Sequence, residues 1–137
     1  MGWEVTIGAR LAAHAGLAAL VSTRIYAGLV PSTGAYPCVS FFAVGEELLL
    51  AGTASPTLRS TRIQVDCWAR DADPGETSGY TAGLAIRDQV LAALDRWNGA
   101  GPPLVQQVFT ETAGLYVPDP DLLMHHFAVD FTVWWQA

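Results

Sequence analysis

The sequence predicts an α+β fold: a two-layer domain in which two helices cover one face of a mainly antiparallel four-stranded sheet, with a long hairpin arm. Two patterns lead there. Residues 4–21 and 79–97 repeat apolar side chains at three- and four-residue offsets, whereas 59–70 and 122–136 alternate apolar and polar side chains over long stretches. The segments follow the order helix, strand, strand, helix, strand, strand. That order lets both helices pack on the same side of one sheet. At 137 residues the chain is sized for a single domain, 1–137.

Each element follows from local chemistry. Segment 4–21 places Ile7, Leu11, Ala15 and Ala18 on one stripe, with Leu17, Leu20 and Val21 beside it, and is rich in alanine. Residues 27–37 (AGLVPSTGAYP) hold two prolines and two glycines and read as a loop. CVSFFAV (38–44) is a first strand. Residues 46–58 form the arm, with Leu48, Leu49 and Leu50 in succession beside Glu46 and Glu47. Segment 59–70 sends Ile63, Val65, Cys67 and Ala69 to one face and Arg62, Gln64, Asp66 and Trp68 to the other. DADPGETSG (71–79) turns into a helix over 79–97 with Ala82, Ile86, Val90, Ala93, Leu94 and Trp97 inward, ended by Asn98-Gly99. LVQQVFTET (104–112) is a third strand and 113–121 a loop. The last strand, 122–136, turns Phe127, Val129, Phe131, Val133 and Trp135 inward. It leaves His126, Ala128, Asp130, Thr132 and Trp134 on the other face.

Composition narrows the function classes. Apolar residues make up 51% and charged residues 15%, which excludes a disordered tail and leaves few charges to cover a free monomer. The net charge of −6 argues against wrapping DNA by phosphate neutralisation. All seven basic residues are arginine. Cys38 and Cys67 show neither metal-ligand spacing nor a CxxC pattern and read as buried thiols of a reducing compartment. Glu4, Arg10 and His14 interrupt the N-terminal segment, which reads as a helix of the mature protein rather than a signal peptide, and no run is long enough to span a membrane.

Chemistry-bearing clusters are sparse. His125 and His126 are adjacent on a strand and point to opposite faces, so they cannot chelate one metal together. Asp119 and Asp121 lack the other positions of a calcium loop. No phosphate-binding glycine motif is present, and no cofactor is expected. Asp66, His126 and Asp130 have the chemical types of an acid–base site if the two long strands are neighbours. A flat sheet face, however, offers no pocket and no activated nucleophile, so a small enzyme is the weaker alternative. The mixed polar and aromatic face of Gln64, Asp66, Trp68, His126, Asp130 and Trp134 suits burial against another subunit. The leucines Leu48–Leu50 of the arm either fold back onto the core or dock on a neighbouring subunit or partner ring. Arg59 and Arg62 suit pairing with Glu46 or Glu47 of another copy, because a guanidinium forks onto a carboxylate.

Four stretches carry a resemblance: RIYAGLVPSTGAYPCVSFFAVG, LAGTASPTLRSTRIQVDCWARD, AGLAIRDQVLAAL and MHHFAVDFTVWW. Over residues 20–136 the chain resembles the tail-completion (tail terminator) proteins of long-tailed phages. The R-x-Q-V-D-x-W-A strand is Arg62, Gln64, Val65, Asp66, Trp68 and Ala69, and the closing D-F-x-V-W strand is Asp130, Phe131, Val133 and Trp134. GYTAGL departs from the more alanine- and acid-rich helix start of that family, and the loop before it is glycine-rich.

The resemblance implies a structural, non-enzymatic protein of the virion neck, made in the bacterial host cytoplasm. It implies a ring, usually of six copies, on the head-proximal end of the tail tube, which ends tube polymerisation and receives the head's connector. A neighbouring stopper or adaptor of the same neck is the alternative. The implied partners are further copies of the chain, the tail tube protein and the connector or stopper, with viral DNA passing through the lumen unread and no membrane involved. Six copies at −6 each carry about −36, and acidic charge lining a lumen would repel DNA phosphates.

Overall fold

A computed structural model describes residues 2–48, 58–73, 75, 78–100 and 103–136. The described elements are α1 (Trp3–Ala13), α2 (Ala15–Val21), β1 (Ile25–Ala27), β2 (Cys38–Leu48), β3 (Leu58–Arg70), α3 (Ser78–Leu94), β4 (Leu104–Tyr116) and β5 (Met124–Gln136). They form an α+β fold with a five-stranded sheet in the order β1-β2-β3-β5-β4. The pairs β2–β3, β3–β5 and β4–β5 are antiparallel, while β1 joins β2 in parallel, so the sheet is mixed.

The alternation in β3 and β5 decides which face is buried. Ile63, Val65, Cys67 and Ala69 pack with Phe127, Val129, Phe131, Val133 and Trp135 beneath the helices. Ile7, Leu11, Leu17, Val21, Ile86, Val90, Ala93 and Leu94 close this core from the helical side. Gly83 of α3 is held against Phe127, where a Cβ would stand 2.7 Å from a ring carbon.

The structure corrects the expected elements at five places. The first helix is two, bent by 83° at His14, whose backbone is extended and whose Nε2 lies 3.0 Å from Gln89 Oε1. Gly16 leaves room for Gln89 to reach that corner. A fifth strand, β1, lies within what reads as the run into a loop; three residues are too few to show periodicity. α3 ends at Leu94 rather than Trp97, and the left-handed residue after it is Arg96 (φ 59°), not Asn98. β2 runs on to Leu48 and β3 starts at Leu58, so both legs of the expected arm belong to the sheet, and its tip at 49–57 lies outside the described residues. β4 continues to Tyr116 through register shifts at 105/107, 110/112 and 112/115, where a loop was expected from 113. Bulges let a strand carry extra residues past its partner, which hides the alternation that marks a strand.

Cys38 and Cys67 are buried free thiols on neighbouring registers of β2 and β3. Burial pushes the Cys38 thiol up to about 11 and Cys67 higher still, so neither is a reactive thiolate. No single helix among the described residues is long and apolar enough to cross a membrane.

Candidate functional site

The face of the sheet away from the helices carries a network of paired polar side chains. Trp68 stands opposite His126 in the β3–β5 register, and the two rings stack with centroids 3.9 Å apart and planes 6° from parallel. His126 Nε2 lies 2.6 Å from Asp66 Oδ1, which also accepts from Gln64 Nε2 at 2.7 Å. Trp68 Nε1–H donates to Ser40 Oγ at 3.0 Å. One register step along, Arg62 Nη2 pairs with Asp130 Oδ2 at 3.4 Å, and Thr132 donates to Glu111 Oε1 at 2.7 Å. Trp134 stands between Ser60 of β3 and Gln107 of β4 and is half-buried.

The expected contact residues are split between the two faces. Gln64, Asp66, Trp68, Arg62, His126, Asp130 and Trp134 share the open face, and Glu47, opposite Ser60, joins them. Glu46 pairs with Thr61 and therefore lies on the helix-bearing face with Arg59. There Arg59 Nη1 approaches Glu46 Oε2 of the same chain at 3.8 Å and its guanidinium lies 5.3 Å from the Trp135 ring centroid. Leu48 is the last described residue of β2, and Leu49 and Leu50 lie outside the described residues.

The acid–base trio is only partly assembled. Asp66 and His126 are in hydrogen-bond contact, but Asp130 faces Arg62. Beside them the sheet is not flat: an open groove of about 550 Å³ is walled by the loop after β1 (Gly28, Leu29, Val30, Tyr36) and floored by Ser40, Phe42, Asp66 and Trp68. The loop's irregular backbone rises over β2, which sequence periodicity does not show. Among the described residues no group of three or more His, Cys, Asp or Glu side chains could hold a metal.

Sequence reasoning missed a second cluster at the sheet end, built by His125. Its Nε2 lies 2.8 Å from Asp71 Oδ2 and its Nδ1 lies 2.8 Å from Tyr116 Oη. A neutral imidazole with its proton on Nε2 satisfies both partners, donating to the carboxylate and accepting from the phenol. Asp71 Oδ1 also accepts from Gly79 N–H at 2.8 Å in the first turn of α3. The bond from His125 holds the Asp71 carboxyl below the usual range, with the Gly79 N–H adding to it against the opposing effect of desolvation. Desolvation, with Tyr80 and Asp71 adding to it, raises the Tyr116 phenol. These groups come from two distant parts of the chain, 71–80 and 116–125, so only the three-dimensional fold could have joined them.

Exposed apolar side chains at Phe42, Val44, Phe109 and Leu115 were also missed. The β4 bulges displace the pattern that would have marked Phe109 and Leu115.

Comparison with known proteins places these surfaces in context. The fold superposes on a chain of the "Virion of native gene transfer agent (GTA) particle" with a TM-score of 0.69 and 19% sequence identity, covering 96% of this chain and 92% of the other. No curated protein sequence matches. The family described as "Tail completion protein gp17" matches residues 5–136, nearly the whole sequence. The chain therefore belongs to the tail completion protein family and is a structural component of a phage-like virion tail.

Proposed function

We propose that copies of this chain form a closed ring, hexameric in the completed particle, which caps the head-proximal end of the tail tube. The ring stops tube polymerisation and gives the head's connector a surface to join. Family membership over residues 5–136 is the observation that carries this reading. The distribution of side chains supports it. The open face carries Glu47, Asp66, Glu111 and Asp130 against Arg62 and Arg70, and its charged groups are largely paired within the chain. The sequence suggested that this face is buried against another subunit; because its polar groups are satisfied within the chain, we read it instead as facing the channel, where an acidic wall repels phosphates. This face lines the lumen, and DNA slides past it without being read.

Ring contacts then fall to the sheet's margins and to the arm around Leu48, Leu49 and Leu50. Growth of purified tail tubes, followed by electron microscopy with and without this protein, tests the reading. Capped tubes of arrested length are expected. Unchanged elongation with the protein in excess overturns it.

A further inference from the structure

The sheet has two outer edges, and each is covered over only part of its length. β1 pairs with β2 at Val39, Ser40 and Phe41, which leaves the outer side of 42–48 open. At the other margin, the segment after α3 covers β4 at two points. Arg96 N–H donates to Val108 O at 2.8 Å and Val108 N–H to Trp97 O at 3.0 Å, while Gly99 and Val105 exchange bonds at 2.9 Å. Residues 110–116 have no such cover. Among the described residues, backbone bonds from 42–48 and from 110–116 run only to the inner neighbours β3 and β5.

Exposed strand edges present unpaired N–H and C=O groups and are templates for another strand. Both stretches also display apolar side chains: Phe42 and Val44 are 38% and 57% exposed, Leu115 and Tyr116 61% and 39%. Neither contains proline, which would end pairing.

Strand direction decides how the two edges can meet. From β2 through β3 and β5 to β4 every pairing is antiparallel, so β2 and β4 run in opposite directions. Rotation about an axis along the strands leaves directions unchanged. The β4 edge of one copy therefore meets the β2 edge of the next antiparallel, and the contact is of unlike patches, as a ring requires.

We propose that the free half-edge 42–48 of one copy pairs antiparallel with the free half-edge 110–116 of the next, joining the sheets of a ring into one. This rests on the ring reading above. The two half-edges are not level. Through the registers, Gly45 stands beside Arg62 and Thr132, whereas residue 113 lies between the partners of Asp130 and Ala128. The offset is about three residues, or roughly 10 Å, across a repeat of four strands, roughly 19 Å, so the strands lean from the ring axis by about 28°. Tilt of this kind is what closing a sheet demands, and the bulges of β4 bend it further.

Centre-to-centre pairing sets residue 45 opposite residue 113. A variant with Gly45→Cys and Ala113→Cys tests this, since a Cβ at Gly45 meets nothing within 4 Å and both native thiols are buried. Assembled on tail tubes and oxidised, the double variant should give a ladder of covalent multimers on a non-reducing gel. Each single variant should stay at monomer mass. Glu47→Cys with Ala113→Cys covers a two-residue slip of register. Hydrogen exchange of the unmodified protein provides a readout free of substitutions: amides in 42–48 and 110–116 should slow by at least about tenfold on assembly. Rings that form without a ladder from either pair, and without slowing in these two stretches, overturn the seam and leave the ring standing. Absence of rings from the unmodified protein with tubes present removes both.

Discussion

The two faces of the sheet are built from alternate residues of the same strands, and they solve different problems. Beneath the helices, Ile63, Val65, Phe131 and Val133 are fully buried and pack against Ile86, Val90 and Leu94. On the other side, Gln64, Asp66, Asp130 and Thr132 are bound to one another or to Arg62, His126 and Glu111. His125 and His126 show the contrast at one peptide bond. The first tethers the start of α3 through Asp71, and the second stacks on Trp68 over the open face. One face holds the fold together, and the other is a finished polar surface that the fold can present.

That contrast can be broken first at the core. Phe131→Ala, which truncates the largest fully buried side chain of the covered face, should cost about 3–5 kcal/mol in chemical denaturation. A loss below about 1 kcal/mol would mean that the face is not a close-packed core.

Asp71, on the helix-bearing side, responds to pH. Its folded-state pKa is depressed, so its contribution is fully present above the unfolded value of about 3.9 and is lost as pH falls through the folded value. Asp71→Asn should therefore be less stable than the parent at neutral pH, and the gap should close on acidification below about pH 4. A gap that widened as pH fell would contradict the assignment.

The smallest effect is expected on the open face. Arg62→Ala removes an exposed ion pair and should change stability by less than about 1 kcal/mol. A loss of several kcal/mol would show that this face carries folding energy after all.

Legibility from sequence followed the same division. The inward residues of β3 and β5 stood out because a strict two-residue period over a long strand admits one register against a core. The polar open face was legible for the same reason, as the other half of that period. What escaped were features with no period to read: the three-residue β1, the corner at His14, the bulged end of β4 and the loop that walls the groove above Asp66. The Asp71–His125–Tyr116 cluster escaped because its members come from separate segments. Arg59 and Arg62, expected to pair with Glu46 or Glu47 of another copy, instead meet Glu46 and Asp130 of their own chain, because β2 and β5 flank β3 and the β2–β3 hairpin is longer than CVSFFAV suggests.

The ring is most directly measured by native mass spectrometry with negative-stain electron microscopy of the protein, alone over a concentration series and again with tail tubes. Closed rings of six copies with a central hole are expected, at the latest once tubes are present. Monomers or open chains at the tube end, at every concentration, would contradict it.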